Sequence, residues 1–398
     1  MNHFSLKTTY QDNGKTAPLV SIVVVCLNEE SSISGCLNSL LSQEFPKNLY
    51  EIIAVDGGSE DKTREIVKQF PVALITDDFS SLGRRRNIGV RASKGMFIAF
   101  IDADCFADSM WLNRLVGVLP ASAPEVAAVT GPNAVVEGDS GFARVVGYMQ
   151  QTFLGCGGSP QCRQFKNLSH VISAPNCNAL YRRDILLENP YDDGLTWGED
   201  ADLNCRLRKK GYKFLYCSQA VVWHYRVNSV AGLVKKMHAY GYAMAVISLK
   251  NKCLVRWYGC LPSVALITAI ATPLILHCPS LGIFYLWCYA AYLFLVTITA
   301  FAVIKRLRSL KGLLTFILLP LQHISYGVVF YRDFYSILLA GNQARAAGPG
   351  LRLRQRRHCR PSGPGLRGRG RPLCGIRPGG PRNTRLYPHL CRLPARPD

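Results

Sequence analysis

Acid is scarce in this chain: 26 Asp and Glu stand against 47 Lys and Arg, which leaves +21 over 398 residues. That excludes an acidic, self-repelling surface, yet it does not make a nucleic-acid binder, because the excess is unevenly placed. From Gly341 onward there is no Lys and one acid, Asp398, against fourteen Arg, a net +13, so the first 340 residues carry only +8. So modest a charge suits anionic lipid or phosphate groups, and no nucleic acid is expected as a partner.

Paired cysteines are also missing. Fifteen Cys are scattered with no Cys-x-x-Cys and no metal-ligand spacing, which excludes a zinc ribbon or a dithiol redox motif and predicts reduced, packed thiols. The first eighteen residues lack the apolar centre of a secretory signal, so the N-terminal half is expected in the cytoplasm. Long apolar runs of membrane-spanning length are absent before residue 259 and then crowd into 259–340. Segments 259–277, 281–304 and 312–331 each hold about twenty residues, enough at 1.5 Å per residue to cross a hydrocarbon core of about 30 Å. "HCPS" after the first carries no cation, whereas "KRLRSLK" after the second is rich in them. The positive-inside rule then places the second loop, and the N-terminal domain, on the cytoplasmic side of a plasma (inner) membrane crossed several times.

Residues 341–398, dominated by Arg, Gly and Pro, cannot bury a core. An Arg-rich RNA- or lipid-binding arm is one reading. The preferred one is a GC-rich gene read out of frame after about Ala340, and the other two reading frames would decide between them. The remaining organisation is a polar extension (1–17), a soluble domain (18–232) and a basic, amphipathic stretch (233–258) that either lies on the bilayer or packs on the soluble domain.

Within the soluble domain, "LVSIVVVC" (19–26) is too short for a membrane helix and too continuously apolar for a sheet face open to water, so it reads as a central parallel strand. Ile33, Leu37, Leu40 and Leu41 then recur at helical spacing. "EIIAV" (51–55) ends at Asp56, and Ser59 is a predicted N-cap of a helix running to Phe70. "VALIT" (72–76) precedes a helix from Ser81 to Lys94, with Gly95 as its expected C-cap. The fourth strand, "FIAFID", delivers Asp102 and Asp104. Strands alternating with helices imply right-handed crossovers and an α/β, doubly wound, mostly parallel sheet whose C-terminal strand ends share one edge, where such sheets bind ligands. Asn28, Asp56, Asp77, Asp102 and Asp104 should gather there. "VAAVTG" and "FLYCSQAVVW" look like further strands, with a loop-rich region between them.

Two carboxylates as close as Asp102 and Asp104 repel unless a cation lies between them, and a solvated strand-end turn is the simpler reading of any isolated Asp-x-Asp. Here the pair belongs to an ordered set: "SIVVVCLNEE", "AVDGGSEDKT", "RRRNIGVRASKG", "FIDADC", "WGEDADLNCRLRKKGY" and "VVWHY". In this order and spacing, residues 18–230 resemble the family 2 glycosyltransferases of GT-A fold, anchored by C-terminal transmembrane helices. The resemblance implies a nucleoside-diphosphate sugar donor, Mg2+ or Mn2+ held by Asp104 with His224, and Asp102 touching the ribose or the metal through water. It assigns Glu30 and Asp56 to the nucleoside, Arg86 and Asn87 to the donor, which Asn28 at the shared edge should also touch, and Asp200 to the base, supported by Glu199. Trp197 is placed to stack on a sugar. Each has a plainer reading beside it: Asp56 and the Glu199-Asp200 pair as helix-start carboxylates, His224 as a structural histidine, Trp197 as core. Arg84 and Arg85 are expected to face solvent.

The implied activity is inverting transfer to a lipid-linked saccharide in exopolysaccharide, lipopolysaccharide or related glycoconjugate synthesis. A polyprenyl phosphate acceptor and a non-catalytic, membrane-anchored nucleotide-sugar binder are the alternatives. No Gln-x-x-Arg-Trp follows His224, which disfavours processive synthesis, and Cys105-Phe106 after the Asp-x-Asp disfavours an aspartyl phosphatase. The sugar, the nucleotide, the linkage and the oligomeric state are not legible.

Overall fold

The computed structural model describes residues 11–12, 15–78, 81–160, 167–251 and 279–346, with isolated positions 264, 268, 271, 272 and 277. A short antiparallel pair, β1 (Gln11–Asp12) and β2 (Lys15–Thr16), precedes the first apolar run. That run forms β3 (Val20–Cys26), buried at every position, as its unbroken apolar character requires. Next come α1 (Ile33–Leu41), β4 (Tyr50–Asp56), α2 (Thr63–Val67), β5 (Ala73–Thr76), α3 (Leu82–Ala92) and β6 (Phe97–Asp102). The four strands are parallel and lie in the order β6-β3-β4-β5. Alternate residues of each strand enter opposite cores. Ile22, Val24, Ala54 and Ile101 pack on the face covered by α1, whereas Val23, Val25, Val55 and Phe100 pack with Val90 of α3.

Two local expectations fail for identifiable reasons. The helix after β4 starts at Thr63, not at Ser59, because the Ser59 hydroxyl is taken by the Asp56 carboxylate. Gly95 is not a helix cap: α3 ends at Ala92 with Ser93 extended beyond it, and Gly95 is required because a Cβ there would lie 2.6 Å from the backbone nitrogen of Ser21.

The second half adds β7 (Cys105–Ala107), α4 (Trp111–Val116), β8 (Val126–Thr130), β9 (Asn133–Val135), α5 (Gly141–Gln150), α6 (Phe153–Cys156), β10 (Ser169–Val171) and β11 (Asn178–Arg182). It continues with α7 (Arg183–Glu188), α8 (Glu199–Lys209), β12 (Lys213–Tyr216), β13 (Val222–His224) and α9 (Val230–Asn251). The main sheet has eight strands, ordered β10-β12-β8-β11-β6-β3-β4-β5. Since β11 runs antiparallel to both β6 and β8, the sheet is mixed. A smaller sheet, β7-β13-β9, stands beside it. Asn178 links the two: its side-chain oxygen accepts from Trp111 Nε1 at 2.8 Å while its amide donates to the carbonyls of Pro132 and Ala220.

Helix α9 buries Leu233, Met237, Ala243 and Ile247, and Lys250 near its end pairs with Asp192 and Asp202 at 2.6 and 2.8 Å. Gly241 allows α9 to touch a later helix, since a Cβ there would come within 2.6 Å of the Tyr326 carbonyl. That later helix, Thr315–Ala346, follows the apolar helix Pro279–Leu307. Gly282–Leu307 and Leu310–Leu339 are long and apolar enough to cross a membrane, with mean hydropathies of 2.0 and 1.7. Phe284, Trp287, Phe294 and Phe301 project outward from the first, while Val296, Val303 and Leu307 pack with Val145 and Met149 of α5. The apolar segment 259–277 lies almost wholly outside the described residues. Cys26, Cys36, Cys105, Cys177 and Cys217 are buried and form no disulfide, as expected, but Cys205 is disulfide-bonded. Spacing along the chain missed it because pairing depends on proximity in space.

Candidate active site

The strand ends form two neighbouring clusters. The first lies beyond β3 and β4. Asn28 adopts a left-handed backbone (φ 56), which a short polar side chain tolerates. Its side-chain oxygen accepts from the Glu60 amide at 2.9 Å, and its own amide donates to Ser59 Oγ at 2.9 Å. Asp56, wholly buried, accepts from the amides of Gly58 and Ser59, the Ser59 hydroxyl and Arg64 Nε. Burial raises its pKa, but the Ser59 and Arg64 hydrogen bonds outweigh burial and hold the carboxyl below its ordinary value. Glu30 is exposed and accepts from the Lys62 amide at 3.1 Å. Asp77 pairs with Arg84 Nε at 2.8 Å.

The second cluster is centred on Arg86, only 2% exposed. Its Nη2 donates to Asp102 Oδ1 at 3.0 Å and its Nε to Glu199 Oε1 at 2.9 Å, so one guanidinium joins the end of β6 to the start of α8. Its guanidinium carbon lies 5.3 Å from the Phe100 ring centre, and its enclosed Nη1 has no hydrogen-bond partner among the described residues. Asn87 turns away from this cluster and fixes the segment before α8, bonding Tyr191 N, Tyr191 O and Asp193 Oδ1 at 2.7–2.9 Å. Arg85 contradicts its expected exposure: it is 6% exposed and donates to the Cys26 carbonyl at 2.9 Å, crossing under Gly57, where a Cβ would strike its side chain.

Helix α8 opens at Gly198 (φ 74), where a Cβ would press on Ala243 of α9, and its first turn holds Glu199, Asp200 and Asp202. The helix dipole favours acids there. Burial nevertheless dominates at Glu199, pushing it up to about 7 against the pull of Arg86. Burial also raises Asp200, with Arg86 opposing and the charge of Asp102 adding to the rise. The Asp200 carboxylate accepts from the Ala201 amide at 2.7 Å. Trp197, 39% exposed, precedes this turn.

Asp104 follows β6 in the turn to β7. The small sheet sets His224 opposite Cys105, and the Tyr225 amide donates to the Asp104 carbonyl at 3.1 Å. His224 Nε2 therefore meets Asp104 Oδ2 at 3.0 Å. Burial works against the Asp104 carboxylate, but the facing His224, with Lys236 of α9 beyond, outweighs it and holds the group well below the usual carboxylate range. Ligand atoms of Asp104, Cys105 and His224 lie within 4.8 Å of one another. The Cys105 thiol, pushed well up by burial and by the charge of Asp104, stays protonated and donates toward Asp104 Oδ1 at 3.6 Å. Hard carboxylate oxygens, not this thiol, fit Mg2+ or Mn2+.

Three residues near these clusters were not anticipated. Glu29, rather than Glu30, faces the acids: burial, then the charge of Asp104, push it up to about 7. Arg226, 6% exposed, donates from Nη1 to His224 Nδ1 at 3.3 Å. Lys236 makes no hydrogen bond or ion pair among the described residues. Arg226 lies two residues beyond His224, a same-face spacing in extended chain that the sequence already offered. Lys236 carried no comparable signal.

Comparison with known proteins fits this geometry. Residues 21–188 match the family model "Glycosyl transferase family 2". The chain carries a family 2 glycosyltransferase domain. The glycosyltransferase AglE of Haloferax volcanii is 27% identical over 248 residues, 61% of this chain and 78% of that protein. The succinoglycan biosynthesis protein ExoA of Rhizobium meliloti is 28% identical over 246 residues, 58% of this chain and 71% of that protein. Among solved structures, the mannosyltransferase PcManGT of Pyrobaculum calidifontis, in complex with GDP-Man and Mn2+, aligns with a TM-score of 0.54 at 17% identity, over 80% of this chain and 88% of that one. The fold is therefore GT-A.

Proposed function

We propose that this glycosyltransferase moves a sugar, with inversion, from a nucleoside-diphosphate donor to a lipid-linked saccharide at the cytoplasmic face of a plasma membrane. The observation that carries the reading is the Arg86 bridge, which ties Asp102 to the Glu199-Asp200 turn. Asp200, made more basic by burial, takes the proton of the acceptor hydroxyl. That oxygen bonds to the donor's anomeric carbon as the bond to the diphosphate breaks, a single displacement. Asp104, with Asp102 beside it, would hold Mg2+ or Mn2+, which when bound neutralises charge on the leaving diphosphate. The structural neighbour PcManGT, of the same fold, is itself in complex with Mn2+.

Asn28, Glu30 and Asp56 are assigned to the nucleoside end and Trp197 to a sugar face. Arg86 and Asn87 act by orienting: Arg86 is engaged by two carboxylates, and Asn87 secures the approach to α8. The two apolar helices anchor the domain where a lipid-linked acceptor arrives. A relative from Methanococcus voltae, 24% identical over 60% of this chain and 76% of its own length, is named for transfer to a dolichyl-phosphate-linked sugar.

Asp200→Asn assayed on both acceptor types is the test. Loss of about 100-fold or more with a saccharide acceptor is expected. A polyprenyl phosphate is already ionised and needs no base, so activity on it that survives the substitution would identify that substrate instead.

A further inference from the structure

We propose that Arg226 and Lys236 form an anion site that takes the phosphate of the lipid-linked acceptor. The inference rests on the glycosyl-transfer reading in taking a lipid-linked acceptor, and it names the part of that acceptor the chain grips. Its basis is a buried guanidinium with one idle edge. Arg226 is 6% exposed, and its Nη1 donates to His224 Nδ1 at 3.3 Å. The acid Asp139 accepts from the Arg226 backbone amide at 3.3 Å and not from the guanidinium. Nε and Nη2 are enclosed with no hydrogen-bond partner among the described residues. Their N–H bonds run side by side, a fork that matches two oxygens of a phosphate. Buried donors are rarely left without a partner, and one that stays idle in the folded chain marks a place for a ligand to meet it.

Lys236 of α9 supplies a second positive charge. It lies within reach of the charges of Arg226 and Asp104, yet makes no hydrogen bond or ion pair among the described residues. Tyr240, one helical turn on and 39% exposed, shares that face and feels the charges of Lys236, Arg226 and Asp200. Two neighbouring cations repel, and Asp104 does not pair with either: its oxygens face His224 and Cys105. An anion between Arg226 and Lys236 relieves that repulsion. Because the Arg226 edge is enclosed, a ligand reaches it by displacing a side chain, and the partly exposed Lys236 and Tyr240 are free to give way. Location selects the lipid's phosphate over the donor's. Val227, next to Arg226, and Leu233 and Met237, flanking Lys236, pack in one apolar core with Val296 and Val303 of helix Pro279–Leu307 and with Leu318 and Leu319 of helix Thr315–Ala346. Asn28 and Asp56, assigned to the nucleoside end, lie beyond β3 and β4, outside that core. A lipid held in the membrane presents its phosphate beside those two helices.

Calorimetric titration of the full-length protein in detergent tests the site without turnover. The probes are farnesyl phosphate, farnesol as its uncharged control, and UDP or GDP with Mn2+ for the donor side. Farnesyl phosphate should bind more tightly than farnesol by about tenfold or more, and Lys236→Met and Arg226→Gln should each weaken it by a similar factor, the range for hydrogen bonds to a charged group. Binding of farnesol and of the nucleotides should be unchanged. Farnesyl phosphate held no better than farnesol, or equally well by wild type and Lys236→Met, would overturn the proposal. A loss on the nucleotides as large as that on farnesyl phosphate would give the pair to the donor's diphosphate and overturn it too. Thermal melts report whether Arg226→Gln folds, and Lys236→Met, at a partly exposed residue with no bonded partner, keeps the test readable if it does not. A protein that binds farnesyl phosphate through Lys236 but transfers sugar from no donor would sink the transferase reading and leave this site standing.

Discussion

Asp56 and Asp200 sit at the same edge of the fold, yet their surroundings differ in kind. Asp56 is wholly buried but saturated, with two amides, a hydroxyl and a guanidinium donating to it, and its pKa is lowered. Among the described residues Asp200 accepts from the backbone amides of Ala201 and Asn176 only, and burial, with the charge of Asp102, still raises its pKa. A saturated carboxylate is a fixed platform, whereas an under-solvated one retains the drive to take a proton. Under the proposed function, the β3–β4 end would bind the donor and the β6–α8 end would react.

The largest effect that can break this contrast is Asp200→Asn, expected to lower kcat by about 10²–10⁴-fold while leaving stability nearly unchanged. Initial rates and thermal melts distinguish this from misfolding. In wild type the ionised base is the active form, and burial raises its pKa. The rate should therefore fall as pH drops, with the midpoint above the ordinary aspartate range. Arg86→Met comes next: it strips the partner from Asp102 and Glu199, and losing one side of a buried ion pair costs about 3–5 kcal/mol in denaturant unfolding. Asp56→Asn should cost about 1.5–3 kcal/mol, the range for hydrogen bonds to a charged group. Its effect on kcat should be far smaller than that of Asp200→Asn, and equal effects would erase the contrast. Glu30→Gln, at an exposed position with one backbone partner, should stay within about 0.5 kcal/mol.

Much of this contrast was legible along the chain, because strand ends are set by local patterns. The apolar run at 19–26, the break after Asp56 and the Asp102/Asp104 pair fixed which acids share the edge. The order of "WGEDADL" and "VVWHY" supplied Asp200 and His224 by resemblance. What stayed hidden depends on contacts between distant segments. Arg86 and Arg85 are neighbours in one basic run, and nothing local reveals that one bridges Asp102 to Glu199 while the other crosses under Gly57. Glu29 and Glu30 are adjacent acids, and only the path of the chain out of β3 turns Glu29 toward Asp104. The smaller sheet was unread because three-residue strands such as β7 and β13 carry too little pattern. That sheet is what brings His224 and Arg226 to the site.

The central claim is that acids from β6 and α8 converge on one bound cation and one acceptor hydroxyl. Donor turnover by membranes containing the full-length protein, screened over nucleotide sugars with Mn2+ or with chelator, tests it most directly. The account predicts transfer from at least one donor that requires the divalent ion and is lost in Asp104→Asn. Transfer that persists in chelator and is indifferent to Asp104→Asn would contradict it.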